Sequence, residues 1–417
     1  MFPGFSSALS ALSADSNAID VSGNNLANLN TPGFKASSVE FSDLMAQSLG
    51  AAQNPAQIGM GVAPIQTRSN YIQGGITTTN GPTDAAIEGN GFFVVKDASG
   101  QTLYTRDGAF QVDSSGTLVT ATGEKVQGWT AVNGVVNPNG PVSNLTVPLD
   151  TLLAGTPTTT MTVKVNLDAG APTTGSGSTF SAPIQVYDSL GASHVVTVNF
   201  TKTDTNAWSY TVTVPAADLS SGGNTTLAQG NLTFDGSGNL TSPSSGSGPQ
   251  SIAIQGLSDG ANDMTVNWNL FDASGNSNIT QLSETSSLEG TSQDGAAAGQ
   301  ITDVSLQNGG ALVATYSGGQ QVTIGQLAMA AIQNPNTLLS VGDNNLKASA
   351  ATAPPAIGAA NSGGRGQILG GSLEGSTADM ATEFTNLLTY ERSYQAASRV
   401  ITTGDTMLQT AINLIQG

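Results

Sequence analysis

Cysteine is absent from this chain of 417 residues, and histidine occurs once, as His194. Without Cys, neither disulfide bonds nor thiolate metal sites are available, so stability must come from packing or assembly. His194 sits beside a turn, with no second His, no Cys and no carboxylate pair next to it in sequence. Such a residue builds neither a catalytic triad nor a metal site, and we interpret it as structural. We expect no catalytic residues, no metal ligands and no cofactor.

Charged residues are also scarce, at 10% of the chain, and the balance is acidic, with a formal net charge of −18. Residues 1–70 carry four acids and two bases, and residues 350–417 carry five acids and three bases, so most of the negative charge lies between them. An acidic surface is unfavourable for nucleic acid, which we exclude as a partner. Two nearly neutral ends suit segments that pack against copies of themselves.

Long apolar runs are missing as well. No stretch approaches the roughly 20 apolar residues that a membrane-spanning helix needs. The first basic residue is Lys35, so the N-terminal residues lack the basic region of a secretory signal peptide. We therefore expect no membrane insertion and no cleaved signal peptide.

What the chain does contain is a long apolar stripe at its C-terminal end. Residues 377–416 have no Pro and a single Gly, and apolar residues recur in alternating steps of four and three. This 3.5-residue period predicts one long helix that packs on a partner helix, because the hydrophobic stripe is narrow. The polar residues Glu391, Ser398 and Asp405 interrupt it at one heptad position. The apolar members of this C-terminal seam are Met380, Phe384, Leu387, Tyr394, Ile401, Leu408, Ile412 and Ile415.

The same period appears at the other end of the chain. Residues 4–29 are predicted to form a helix whose N-terminal seam is Leu9, Leu12, Ile19 and Leu26. Pro32 closes the segment, since the residue before a proline is biased away from helix. We expect the two helices to pair with each other. The alternative, in which both pack on the remainder of the protein as ordinary amphipathic helices, stays open at this point.

Between the two helices the sequence is typical of β structure. Gly is abundant, at 51 residues, and β-branched alternating runs are separated by the motif Asp-x-Ser-Gly. The motif begins at Asp97, Asp113, Asp235 and Asp272, with a variant at Asp188. Asp bonds its own backbone and Gly supplies a positive φ, so each motif predicts a hairpin turn. A calcium loop would need further carboxylates at set offsets, and these are missing.

These patterns predict a mainly β, multidomain chain with a terminal α-helical coiled-coil domain. The domains are expected to be nested, with discontinuous domains formed from both chain ends around one inserted domain. The expected parts are a helical domain of residues 1–30 plus 376–417, extended connectors of residues 31–70 plus 349–375, a first β domain of residues 71–145 plus 283–348, and an inserted β domain of residues 146–282.

Two short motifs carry a family resemblance. The segment Asn24, Asn25, Leu26, Ala27 and Asn28, followed by Thr31, Pro32, Gly33, Phe34 and Lys35, resembles the N-terminal signature of bacterial flagellar rod and hook proteins. Leu373, Glu374 and Ser376 are similar to the signature that precedes the C-terminal helix of that family. Thr377 stands where Asn is usual, and we expect it to keep a role in capping the helix, as Thr can.

The resemblance implies a structural subunit that self-assembles into the flagellar hook, the curved tube that transmits torque. It implies that copies of the chain are the main partner, with the distal rod protein, the hook cap protein, the hook–filament junction proteins and the type III export apparatus as others. It also implies location in the hook, on the extracellular side, after export without cleavage.

Three other functions remain as alternatives. A distal rod subunit is disfavoured because rod relatives resemble only the ends and one β domain. An extracellular adhesin or fibre would lack the N-terminal motif and the paired seams. An enzyme such as a polysaccharide lyase would need carboxylate and cation clusters, which are not visible in the sequence.

Overall fold

The computed structural model describes residues 3–44, 47–49, 56–149 and 151–416. It divides the chain into two units. Unit 1 comprises residues 1–148, 304–314 and 322–417, and unit 2 comprises residues 149–303 and 315–321. Helix α1 (Pro3–Ala27) and helix α2 (Met380–Gln416) are the two long helices, at the positions that the seams predict. The remainder is mostly strand, so the mainly β fold class with terminal helices is confirmed.

The strands before residue 150 belong to unit 1. They are β1 (Ser37–Glu40), β2 (Gln47–Leu49), β3 (Ala56–Ile58), β4 (Gln66–Ser69), β5 (Ile76–Thr78), β6 (Ala85–Glu88), β7 (Phe92–Lys96), β8 (Thr102–Thr105), β9 (Phe110–Val112), β10 (Leu118–Thr120), β11 (Lys125–Val132), β12 (Val135–Val136) and β13 (Ser143–Asn144).

The next ten strands belong to unit 2. They are β14 (Thr160–Asp168), β15 (Thr179–Tyr187), β16 (Ser193–Asp204), β17 (Ala207–Thr213), β18 (Thr226–Phe234), β19 (Leu240–Ser242), β20 (Gln250–Ile254), β21 (Met264–Trp268), β22 (Ile279–Leu282) and β23 (Ser287–Gln293).

The last strands lead back to α2. They are β24 (Ile301–Leu306), β25 (Ala311–Tyr316), β26 (Gln321–Leu327), β27 (Met329–Ala331), β28 (Leu338–Gly342), β29 (Asn345–Ala348), β30 (Ala356–Gly358), β31 (Gln367–Gly370) and β32 (Ser372–Glu374).

Unit 2 is built from two five-stranded sheets. One is an antiparallel meander in the order β15-β16-β17-β18-β19, and the other centres on β14, which pairs with β21, β22 and β23. Along β16 every second residue is buried, from His194 to Lys202, so one face of the meander points into the core. The core of the unit includes residues of both sheets, among them the fully buried Trp208 and Trp268.

In unit 1 the main sheet runs in the order β24-β25-β26-β11-β7-β8-β29-β28. Strands β11, β7 and β8 from before the inserted segment form the middle of this sheet. Strands from after that segment flank them on both sides, because β26 pairs with β11 and β29 pairs with β8. Phe92, Val94, Tyr104 and Trp129 from the first segment pack with Leu338 and its neighbours from the second. Strands that follow residue 300 therefore complete the main sheet of unit 1.

The Asp-x-Ser-Gly turns are hairpin turns, as predicted. Asp113 Oδ1 accepts hydrogen bonds from Ser115 N at 2.9 Å and Thr117 N at 2.8 Å. The glycine that ends each motif has a positive φ, +80° at Gly116 and +83° at Gly238. The bond from the Ser115 hydroxyl holds the pKa of Asp113 below its usual value, and backbone donors contribute to the same effect.

The two connectors are more ordered than predicted. In the N-terminal connector β1 pairs with β4, and β2 pairs with β3, both antiparallel. In the C-terminal connector β31 pairs with β6 and β32 with β5, and Ile368 on β31 is fully buried. Residues 367–370 and 372–374 of the predicted C-terminal connector are thus strands that pair with β6 and β5. No helix among the described residues is long and apolar enough to cross a membrane.

Candidate functional site: the helical pair and the junction of the chain ends

Helices α1 and α2 pack against each other, which confirms the predicted pairing of the two chain ends. They run antiparallel, because Asn25 near the end of α1 donates a hydrogen bond of 2.9 Å to Glu383 in the first turn of α2. Further along, Tyr390 lies near Asp15. Burial raises the pKa of Tyr390, and the charges of Glu383 and Asp15 raise it further.

The covered face of α1 differs from the predicted seam. It consists of small and polar residues, namely Ala8, Ala14, Asp15, Ala18, Ser22 and Asn25, all at most 8% exposed. Small side chains allow the second helix to approach closely. The predicted seam lies one position away on the helix: Leu9 is 54% exposed, and Leu12, Ile19 and Leu26 are half-buried. The predicted seam of α1 is therefore only partly covered within one chain, and its role in assembly stays a prediction.

On α2 the predicted seam divides into two groups. Leu387, Tyr394 and Ile401 are half-buried, together with the polar Ser398. Met380, Phe384, Leu408 and Ile412 are between 40% and 56% exposed. Glu391 and Asp405 are exposed, and the side chain of Ile415 lies outside the described part of the chain.

The end of α2 extends beyond α1. Gly404 is the last half-buried residue, and every described side chain from Asp405 to Leu414 is exposed. Among them Met407 is 69% and Leu414 is 79% exposed, although both are large and apolar. We call residues 405–416 the overhang. It is about 18 Å long at the rise of an α-helix.

The two family motifs meet in one buried ionic cluster. Lys35 Nζ lies 2.6 Å from Glu374 Oε1, and Arg106 Nη1 lies 3.0 Å from Glu374 Oε2. Lys35 also donates to Ile72 O at 2.7 Å, and Glu374 Oε1 accepts from Gly74 N at 2.8 Å. The three charged side chains are at most 7% exposed. Burial lowers the pKa of both cations, and the charge and hydrogen bond of Glu374 oppose that effect.

Backbone bonds hold the same two motifs side by side. Gly33 N donates to Glu374 O at 2.7 Å, and Thr377 N donates to Phe34 O at 3.0 Å. Gly33 has φ +67°, and an added Cβ would lie 2.4 Å from the carbonyl carbon of Arg106. Only glycine therefore fits at this position, because both the backbone angle and the space exclude a side chain.

Thr377 does not have the role that the sequence predicts. Its hydroxyl oxygen accepts a hydrogen bond of 2.9 Å from Ala36 N, so it ties the two chain ends together. The cap of α2 is Asp379, whose Oδ1 accepts from Thr382 N at 2.8 Å. Ser376 Oγ accepts from Ala378 N at 3.1 Å, just before the helix.

The asparagines of the N-terminal motif order the end of α1. Asn25 Oδ1 accepts from Ser37 N at 3.0 Å, in addition to the bond of its amide to Glu383. Asn28 Nδ2 donates to Asn24 O at 2.9 Å, and Thr31 Oγ1 donates to Asn28 Oδ1 at 3.0 Å.

The remaining motif residues lie outside the ionic cluster. Pro32 O accepts from Asn344 Nδ2 at 2.8 Å, and Leu373 is half-buried on β32 opposite Thr77 of β5. Leu26 is half-buried and Ala27 is exposed at the end of α1.

His194 in unit 2 is surrounded by carboxylates that the sequence did not predict. His194 Nε2 lies 3.0 Å from Asp188 Oδ2 and 3.6 Å from Asp259 Oδ2, and Nδ1 lies 3.3 Å from Asp218 Oδ2. Burial by itself lowers the pKa of His194, but the adjacent carboxylates of Asp188 and Asp218 more than offset it, so the pKa is raised. No carboxylate pair lies next to His194 in the sequence, but the fold brings three carboxylates to it from separate segments.

Four family models match consecutive parts of the chain. Residues 5–35 match "Flagella basal body rod protein", and residues 369–414 match "Flagellar basal body rod FlgEFG protein C-terminal". Residues 86–167 match "Flagellar hook protein FlgE/F/G D1 domain", and residues 165–296 match "Flagellar basal body protein FlaE D2 domain".

Relatives of similar length match along the whole chain. "Flagellar hook protein FlgE" of Treponema pallidum is 32% identical, over 98% of this chain and 98% of the relative. The hook protein FlgE of Salmonella typhimurium is 32% identical, over 98% and 99% respectively. That of Borreliella burgdorferi is 31% identical over 98% of each. The chain belongs to the flagellar hook protein family.

Membership settles the general role. The chain is a structural subunit of the flagellar hook, and neither a rod subunit nor an adhesin or fibre protein is favoured, because these hook proteins match nearly end to end. The family models at the two chain ends include Lys35 and Glu374, which meet in the ionic cluster. The hook protein therefore joins its first and last motifs in one place.

Proposed function

We propose that this hook subunit polymerises through its terminal helices, with the seam residues and the overhang as the contact surface between copies. The observation that carries the proposal is the exposure of large apolar side chains on α2. Apolar residues exposed together in this way mark interaction surfaces. In the overhang α1 no longer covers α2, so Met407, Leu408, Ile412 and Leu414 have no cover within the described chain.

The antiparallel arrangement of the two helices also supports head-to-tail assembly of the copies. Both ends of the chain enter the pair from the same junction, so the overhang points away from the rest of unit 1. A contact between the overhang of one copy and the exposed seam of another is head-to-tail. Head-to-tail contacts that do not close produce an open helical filament, which is the geometry of a tube.

A pair of neighbouring substitutions tests this proposal. Leu414→Asp places a charge on the apolar face of the overhang, whereas Asn413→Asp places the same charge on the polar side. We expect both variants to have the circular dichroism of the parent chain as monomers. Only Leu414→Asp should fail to form tubes in electron micrographs, because burying an unpaired carboxylate is costly. Tubes of normal number and length from Leu414→Asp would contradict the role of the overhang.

The resemblance extends the proposal to location and partners. We propose that the subunit lies on the extracellular side of the flagellum and contacts the distal rod protein, the hook cap protein and the hook–filament junction proteins. Export would proceed through the type III apparatus without cleavage. Mass spectrometry of the secreted protein checks the last point: an N-terminus at Met1 or Phe2 is expected, and one beyond Ala27 would contradict it.

The four-part division of the chain is part of the same proposal. Helical ends would form the inner wall of the tube and the β domains the outside, with residues 146–282 as the outer domain. The family models support this division, since the D2 match begins at residue 165 and the D1 match at residue 86. The structural role of the family likewise supports the proposal that the chain is not an enzyme.

A further inference from the structure

The surroundings of His194 in unit 2 have no part in assembly through the helices. Three carboxylates, from Asp188, Asp218 and Asp259, lie within 3.6 Å of its ring nitrogens. Even with a protonated imidazole this group carries an excess of negative charge. The ion pairs described for these carboxylates involve His194 alone. Carboxylates gathered around a buried side chain require a counter-charge.

Two of the carboxylates are held by backbone donors at one oxygen, and their other oxygen points to His194. Asp188 Oδ1 accepts from Leu190 N at 2.8 Å and Ala192 N at 2.9 Å. Asp259 Oδ1 accepts from Ala261 N at 3.0 Å. In both residues the other oxygen, Oδ2, faces His194 Nε2. The three atoms lie within 4.8 Å of one another. Backbone donors therefore fix the carboxylates in the orientation in which they converge.

The spacing of these atoms matches a small transition-metal site. Bonds of about 2.0–2.1 Å in a tetrahedral zinc site place neighbouring ligand atoms roughly 3.3 Å apart. The observed separations of 3.0 Å and 3.6 Å from His194 Nε2 lie on either side of that value. Asp188 is fully buried, whereas the side chain of Asp259 is 29% exposed, which leaves a path for an ion and a position for water.

The other ring nitrogen gives an independent indication. The side chain of His194 is 7% exposed, and Nδ1 has no well-aligned hydrogen bond within the described part of the chain. It faces Asp218 Oδ2 at 3.3 Å. A histidine that binds a metal through one nitrogen usually directs the other to a carboxylate, which fixes the tautomer and strengthens the ligand. Asp218 stands in that place.

We propose that His194 Nε2, Asp188 Oδ2 and Asp259 Oδ2 bind a divalent cation of the zinc class, with Asp218 as the positioning residue for the imidazole. The nitrogen ligand disfavours Ca²⁺ and Mg²⁺, which prefer all-oxygen sites. The bound ion would join the turn after β15, the start of β16 and the loop after β20. It would act as a cross-link in a chain that has no cysteine.

Calorimetric titration of the tag-free, full-length monomer with ZnCl₂, after treatment with a chelator, tests the proposal. We expect one saturable equivalent of Zn²⁺ and a rise in the unfolding temperature when the ion is bound. Asp259→Asn should weaken binding at least 100-fold, and Asp218→Asn about 10–100-fold, as measured for such outer-shell partners. Asp235→Asn removes a carboxylate from another turn of unit 2 and serves as the matched control with unchanged affinity.

Three results would contradict the proposed cation site. They are the absence of saturable binding of one Zn²⁺, equal affinities in Asp259→Asn and Asp235→Asn, and Ca²⁺ or Mg²⁺ binding as tightly as Zn²⁺. Asp259 is partly exposed, so its variant is expected to fold, and circular dichroism of each variant confirms this before titration. None of these outcomes depends on polymerisation, so the cation site and the assembly role are tested separately.

Discussion

At the scale of single residues, Glu374 connects several separate segments of the chain. Its carboxylate contacts Lys35 from the N-terminal motif and Arg106 from the β body, and its backbone oxygen accepts from Gly33. One carboxylate thus ties the chain that leaves α1 to the chain that enters α2. A buried cluster of this kind is sensitive to the loss of a single member, because the remaining charges cannot reach water.

We expect Glu374→Gln to destabilise the monomer by about 3–5 kcal/mol, since it leaves two buried cations without a counter-charge. Equilibrium unfolding in urea measures the change. Glu40→Gln is the matched control: Glu40 pairs with Arg68 at 3.8 Å with both side chains more than half exposed, and its loss should cost at most about 1 kcal/mol. Equal losses of stability in the two variants would contradict the structural role of the buried cluster.

Residue-level roles could be predicted only where a motif pointed to them. The sequence singled out Lys35, Gly33 and Glu374 through the family resemblance, but nothing in their spacing indicated that they touch. Arg106 is the missing partner, and only the pairing of strands brings it there. For His194 the signal was absent, since Asp218 and Asp259 come from loops far along the chain.

At the scale of elements, the helices were predictable and their contact face was not. The 3.5-residue period located α1 and α2 within a few residues. The large apolar residues with this period include Leu9 and Leu12, whereas the buried face of α1 is made of Ala, Ser, Asp and Asn. Small residues at a close helix contact carry little hydrophobic signal, although they determine how near the helices approach.

This face gives a prediction for α1. Ala18 is fully buried, so Ala18→Leu should overpack the contact and destabilise the monomer by about 1–3 kcal/mol. Ser16→Leu adds a side chain of the same size on the exposed side of the same helix and should change stability by less than about 0.5 kcal/mol. Thermal unfolding followed by circular dichroism at 222 nm compares the two. A smaller loss for Ala18→Leu than for Ser16→Leu would show that the buried face has been assigned wrongly.

The β elements were predicted best at their turns. Asp and Gly at fixed spacing determine the local backbone, so the hairpins after Asp97 and Asp113 could be recognised from a few residues. The pairing of β31 with β6 and of β32 with β5 depends on contacts between residues almost 300 positions apart. Local sequence patterns do not indicate contacts between such distant residues, which is why residues 367–374 were expected to be a connector.

At the scale of the whole molecule, the nested chain order explains how a mainly β subunit can present two helices together. The inserted segments fold between the first and last motifs, and the ionic cluster joins the chain at the point where α1 ends and α2 begins. The apolar surface that remains on α2 is then available to other copies of the chain. In the proposed assembly, folding of the subunit and polymerisation of the hook thus use different surfaces.

Hydrogen–deuterium exchange of the subunit before and after polymerisation tests this separation most directly. We predict that amides of the overhang, residues 405–416, exchange at least 10-fold more slowly in the tube than in the monomer, because neighbouring copies cover them. Amides of β16 and β17 in the core of unit 2 should exchange at the same rate in both states. Unchanged exchange in the overhang, with new protection confined to the β units, would contradict assembly through the terminal helices.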